Sequence, residues 1–300
     1  MSPRALARLQ LVAAAVLFST GGAAIKSAAF TPVQVAGLRS GVAALAVFLL
    51  VPAARRNWSW HPWLLGIAYA ATLILFVLAN RLTTAANTIF LQSAAPLYIL
   101  LLGPLLLKEP VRRRDLGFMA VVGVGLALFF VGAEAPAATA PDPARGNLLA
   151  ALSGVTWALT ICGLRWLGAH PGESTRDGSA GVRAVVAGNA IAFFACLPWI
   201  LPLGSHGAVD WATILYLGIF QIGLAYVCMT SGLRRVPALE ASVLLLVEPA
   251  LNPIWAWLVH GERPGAWAVA GGALILGATI VKTWRDSTRL DPAARAEVHA

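Results

Sequence analysis

Three hundred residues that are 59% hydrophobic and only 12% charged carry too much apolar surface for a soluble core, because soluble domains run to roughly 45–50% apolar and about 25% charged. The formal net charge of +9 would suggest nucleic acid in a soluble chain. Here the Lys and Arg stand at the ends of apolar runs with no aromatic-interleaved basic tract, so no nucleic-acid partner is expected. Cys162, Cys196 and Cys228 all lie inside apolar runs; no metal site, cofactor or disulfide is called for.

Taken along the chain, the apolar runs predict ten membrane spans, at 7–29, 32–52, 62–81, 85–107, 114–132, 146–168, 181–203, 209–232, 237–259 and 265–283, each near the twenty residues that a bilayer requires. The first begins like a signal peptide, with Arg4 and Arg8 before "LQLVAAAVLF". It runs on to about residue 29, longer than the apolar core of such a peptide, and is read as a span. The longest connections, around 132–146 and 168–181, are Pro-, Gly- and Ala-rich and polar, hence loops. With the N-terminus placed inside, sixteen Lys and Arg fall on inner segments and four (Lys26, Arg81, Arg145, Arg263) on outer ones. That imbalance predicts a multi-pass protein of the inner (plasma) membrane with both termini cytoplasmic. Lys26 and Arg39 are expected near the outer ends of their spans, with Lys26 snorkelling to water.

The fourth span, "QSAAPLYILLLGPLLLKE", and the ninth, "LLVEPALNPIWAWLVHGE", share a proline followed thirteen residues later by glutamate: Pro96 and Glu109, then Pro249 and Glu262. Arg81 and Arg234 match upstream, as do Arg39 and Arg183, and "VLFSTGG" resembles "VTWALTICG". The chain therefore reads as residues 1–140 and 141–285, five spans each, with a cytoplasmic tail at 286–300. Five is odd, so the second half crosses in the opposite sense. Inverted repeats accompany alternating access around a midplane site.

Helical spacing gathers the polar residues on faces. Ser242, Leu245, Glu248, Asn252 and Trp255 share one in the ninth span; Tyr69, Thr72, Phe76, Asn80 and Thr83 in the third; Thr88 and Gln92, with Tyr98 nearby, in the fourth; Ser153, Trp157 and Thr160 in the sixth. The eighth offers Gln221 and Tyr226, and in the first Ser19 and Thr20 precede a glycine pair. Such stripes face a cavity or neighbouring helices rather than lipid. A substrate-binding reading stacks an aromatic group on Trp157, Tyr98 or Tyr226 and sets Gln92, Asn80 and Asn252 on its polar end, with Trp255, Thr160, Ser19 and Thr20 nearby; the competing reading is interhelical glue. Glu248, the carboxylate deep in a span, reads as a proton-coupling site, a partner for backbone freed by proline, or a ligand for a substrate cation. Pro96, Pro104, Pro249 and Pro253 interrupt the helical ladder and are candidate hinges. Glu109 and Glu262 read as helix-end partners. A membrane-embedded lipid enzyme would need acid, base and nucleophile at one depth; the five histidines fall in loops, at span ends or in the tail, so no enzyme is expected.

The ordered set of ten spans, the early Arg of spans two and seven, and the proline-then-Glu endings "KE" and "GE" resemble the EamA group of the drug/metabolite transporter superfamily. The "FSTGG" first span and deep aromatics look most like YddG-type exporters of aromatic amino acids. The resemblance implies an all-α basket of ten helices around a central cavity, with spans five and ten peripheral. It implies a secondary transporter in the lipid bilayer that exports small amphiphilic molecules, best guessed as aromatic amino acids; a monomer is one reading of its oligomeric state, which the sequence leaves open. The alternatives within the superfamily are other amino acids, drugs and sugar phosphates. A phosphate substrate would demand a Lys or Arg in the cavity, and none is placed deep in a span.

Overall fold

The computed structural model describes residues 2–108, 110–113, 115–131, 135–169, 180–233, 235–236 and 238–287. Glu109, Arg114, Arg234, most of the 168–181 loop and the tail beyond 287 lie outside them. The named elements are helices: α1 (Pro3–Ser19), α2 (Gly21–Ser27), α3 (Pro32–Leu50), α4 (Trp60–Leu82), α5 (Ala85–Gln92), α6 (Ala95–Leu106), α7 (Asp115–Val131), α8 (Pro143–Ala169), α9 (Ala180–Ile200), α10 (Ala208–Leu215), a π-helical stretch (Tyr216–Leu224), α11 (Ala225–Leu233), α12 (Ala238–Leu245), α13 (Val247–His260) and α14 (Ala266–Ser287).

Among the described residues, nine helical segments are long and apolar enough to cross a membrane. The expected span at 114–132 is the shorter apolar helix α7, seventeen residues from Asp115 to Val131. Helix entry follows elementary capping. Thr31 caps α3 by accepting from the Gln34 amide while the Gln34 side chain accepts from Thr31 N–H, and Pro32 occupies the first turn, where its missing donor costs nothing. Thr84 caps α5 in the same way, through the Asn87 amide.

Several spans are not continuous α-helices, and each interruption has a local cause. The first changes direction at Thr20; Ser19 and Thr20 turn their hydroxyls back onto the carbonyls of Val16 and Leu17, both at 2.7 Å. The fourth breaks at Ser93–Ala94 and the ninth at Leu246. In each case a proline (Pro96, Pro249) lies just downstream and withholds the donor that the carbonyl four residues earlier, on Gln92 or Leu245, would ordinarily meet. Pro104 and Pro253 sit inside α6 and α13. The eighth span carries the π-helical stretch, where Gly218 packs against α3 so closely that a Cβ would stand 2.5 Å from Val42.

Packing is paired throughout. Helix α4 lies on α8, and α11 on α1. Helix α9 lies on α4, and the π-helical stretch on α3. Helices α5 and α6 lie on α8, while α12 and α13 lie on α1. Helix α3 faces α9, and α7 faces α14 away from the centre, joined where Gly125 and Gly271 bring the two backbones together.

One end of the bundle is closed by a polar seal. Lys26 is ion-paired with Glu262 at 3.0 Å, both side chains at most 4% exposed. It also donates to the carbonyls of Thr83 and Thr139. Lys26 therefore does not snorkel: its partners surround it within the protein and replace the water it would otherwise seek. Glu262 accepts from the Ala85 amide at 2.8 Å, capping α5 from the far end of α13, as a helix-end partner does. Arg81 donates to the carbonyls of Ile25, Lys26, Ala28 and Phe30. Beside it, Thr83, Asn87 and Asn147 form a closed hydrogen-bond triangle of 2.8–3.1 Å.

Candidate functional site

A cavity of about 260 Å³ lies near the middle of the long helices. Its wall carries five aromatic rings. Phe18 meets Tyr226 edge-on at 5.3 Å, Tyr226 meets Tyr69 edge-on at 5.9 Å, and Tyr69 lies 6.1 Å from Trp157. Phe76 and Leu73 continue that wall. These rings come from α1, α4, α8 and α11, so the crossing of first, third, sixth and eighth spans assembles them. Edge-to-face pairs of this kind hold one another in place and leave faces free for a further ring.

Polar groups interrupt the apolar wall at a few points. Gln92 stands at the α5–α6 break and donates to Ser153 at 2.8 Å, and Ser153 reaches the Thr72 carbonyl. Thr72 donates to Thr156 at 2.9 Å. Gln221, in the π-helical stretch, has its amide oxygen buried without a partner among the described residues. Glu248, just past the α12–α13 break, lines the cavity and has no hydrogen-bond or ion-pair partner among the described residues. Both proline breaks therefore open on the cavity, since Gln92 and Leu245, whose carbonyls they release, line it.

Of the residues singled out in the sequence, Trp157, Gln92, Tyr226 and Glu248 line this cavity, together with Tyr69, Thr72, Phe76 and Gln221 from the same helical faces. The others are placed elsewhere. Trp255 donates to Ser19 at 2.9 Å, tying α13 to α1. Thr20 bonds Tyr216 at 2.8 Å. Thr160 donates to the Thr156 carbonyl on its own helix. Tyr98 packs in the cluster of Leu97, Val122 and Ala150, its ring against Gly154. Asn80 and Asn252 are fully buried with neither amide atom bonded to the described protein, and Asn252 is pressed against Gly22. Ser242 carries no described side chain.

The sequence placed no cation deep in the bundle, and here the structure corrects it. Arg39 lies two turns into α3, only 2% exposed, and lines the cavity. Its guanidinium donates to the Leu73 carbonyl at 3.2 Å, and its buried Nε has no hydrogen-bond partner among the described residues. Counting from the expected span end put it near water; the small residues Gly37 and Gly41 pull α3 against Cys196, Ile200 and Phe193 and carry it inside. Arg183, its counterpart by sequence, is fully buried but donates to the Arg56 carbonyl. No group of three His, Cys, Asp or Glu among the described residues is arranged to hold a metal.

Long apolar helices packed around a mid-depth polar and aromatic cavity define a multi-pass membrane protein with an internal chamber. The model of the EamA-like transporter family matches residues 6–131 and again residues 144–284, and the chain belongs to that family. Among its relatives, an uncharacterized protein of Pseudomonas aeruginosa, PA1977, is 30% identical over 88% of this chain and 91% of its own. The aromatic amino acid exporter YddG of Ancylobacter novellus is 26% identical over 75% of this chain and 76% of its own. The pseudopaline exporter CntI of Pseudomonas aeruginosa is 26% identical over 91% and 94%. A solved crystal structure superposes with a TM-score of 0.60 at 22% identity, covering 95% of this chain and 99% of that one.

Proposed function

We propose that the protein is a secondary transporter that exports small amphiphilic metabolites, aromatic amino acids first among them, across the inner membrane by alternating access. The observation that carries the reading is the run of rings Phe18, Tyr226, Tyr69 and Trp157 around one cavity. Its volume of about 260 Å³ falls at or below the small end of ligand sites, which span roughly 300–1,000 Å³; that favours a metabolite over a bulky drug. Two relatives are named as exporters, one of them of aromatic amino acids.

The same reading takes α7 as a tenth span and the halves 1–140 and 141–285 as an inverted repeat, both termini in the cytoplasm. The double match to one family model supports this. So does the pairing of helices: exchanging each span for its counterpart five places on turns every packed pair named above into another packed pair or into itself. Peripheral α7 and α14 then form one such self-matched pair. A sugar-phosphate substrate remains the second reading, because Arg39 supplies a cation, but Glu248 in the same cavity would repel a phosphate dianion.

Counterflow of labelled phenylalanine, tyrosine and tryptophan in proteoliposomes tests the proposal. Wild type exchanges them, and Trp157→Ala lowers affinity about fivefold, as loss of a stacking ring worth about 1 kcal/mol predicts. Absence of exchange for all three, or a variant indistinguishable from wild type, removes the aromatic assignment. Rates that ignore a pH gradient in both wild type and Glu248→Gln remove proton coupling through that carboxylate.

A further inference from the structure

Arg39 and Glu248 approach the cavity from different helices, α3 and α13, and among the described residues neither forms an ion pair or hydrogen bond with another side chain. Arg39 gives one hydrogen bond to a carbonyl and keeps a buried, unbonded Nε. Glu248 has no partner among the described residues. They do not neutralise each other, yet Tyr69 is within electrostatic reach of both. A buried guanidinium and a half-buried carboxylate face one largely apolar chamber, and a charge left there without a partner is costly. Such an arrangement fits a ligand that brings the missing partner for each.

We propose that Arg39 and Glu248 are the poles of a zwitterion site: Arg39 binds the substrate carboxylate, Glu248 binds its ammonium, and the aromatic wall holds the body of the substrate. This rests on the transporter reading above and narrows it to α-amino acids, with the charges rather than the rings selecting the class. A guanidinium meets a carboxylate through parallel N–H donors, and Arg39 reaches the cavity wall with one hydrogen bond, to the Leu73 carbonyl. Arg39 and Glu248 stand on opposite halves of the repeat, so a bound zwitterion bridges the two halves that must move against each other. An amine alone or an acid alone satisfies one pole and leaves the other buried and unpaired.

The test measures binding to the full-length purified protein in nanodiscs, using phenylalanine against phenethylamine (no carboxylate) and phenylpropionate (no ammonium). The set leucine, isopentylamine and isocaproate repeats the comparison without a ring. The zwitterion in each set binds about tenfold or more tighter than either truncated analogue, the scale of one hydrogen bond to a charged group. Arg39→Gln abolishes discrimination against the amines and keeps discrimination against the acids; Glu248→Gln does the reverse. Arg39→Lys keeps the charge and retains most of the preference, which guards against misfolding of the Gln variant. A purely structural role would weaken all ligands alike, and that result overturns the proposal, as do analogues that bind wild type as tightly as the amino acids. Leucine binding as well as phenylalanine with discrimination intact overturns only the aromatic preference. Absence of amino acid binding in both sets overturns the amino acid assignment and the zwitterion site together.

Discussion

Lys108, just after α6, and Gly261, just after α13, hold the same left-handed backbone, with φ of 56° and 66°. Glycine adopts this conformation without cost, whereas a side chain pays about 1–2 kcal/mol. The turn at Gly261 is what carries Glu262 back to the Ala85 amide, so the "GE" ending has a mechanical meaning, and Lys108 opens the "KE" ending with the same backbone conformation under strain. Lys108→Gly is expected to raise the midpoint of thermal unfolding in detergent, by the equivalent of about 1 kcal/mol; an unchanged or lower midpoint contradicts the argument. At this scale the sequence was legible for residue type and obscure for partner. The aromatic and amide side chains at mid-span could be named, and Trp157, Tyr226, Gln92 and Glu248 do reach the cavity. The fate of Lys26 and Arg39 could not be read, because their partners, Glu262 and the Leu73 carbonyl, belong to helices brought near only by tertiary packing.

Among elements, the interruptions of the fourth and ninth spans were written in the prolines, and both fall on the cavity. Restoring a donor should close the gap in the ladder. Pro249→Ala is expected to straighten the junction of α12 and α13 and to slow exchange several-fold while leaving equilibrium binding of phenylalanine within a factor of two or so, the pattern of a bending point rather than a ligand. Loss of binding in proportion to rate would make the proline a scaffold for the site alone. The π-helical stretch had no comparable mark. Tyr216–Leu224 contains no proline, and within it lies the tight seat of Gly218 on Val42, a contact between spans that no local pattern announces. Gly218→Val is expected to lower stability by about 1–3 kcal/mol through overpacking, read as a lower unfolding midpoint.

For the whole molecule, the long apolar runs and their order were legible because bilayer thickness dictates length. Which end is shut was not. The buried pair of Lys26 and Glu262 joins the first and ninth spans at one end, whereas Arg8 and Glu240 join the same two spans at the other through a solvent-exposed pair. The proposed alternating access would require the buried pair to part. Removing one partner of a buried pair costs about 3–5 kcal/mol, so Glu262→Gln should destabilise this closed arrangement. In a cysteine-free background with Phe18→Cys as reporter, that substitution is expected to increase labelling by an impermeant thiol reagent applied from the Lys26 side. Unchanged labelling would show that the seal is held by the Arg81 network instead.

The π-helical stretch sets the eighth span out of rotational step with itself. Tyr216, at its start, faces Thr20, while Tyr226, just beyond it, faces Phe18 and Tyr69. An ordinary α-helix could not keep the same angular relation between those two tyrosines. Sliding the wide turn by a few residues would therefore rotate one tyrosine against the other with no rigid-body movement of the span, so the helix itself is a dial that can re-aim the chamber wall while its ends stay anchored.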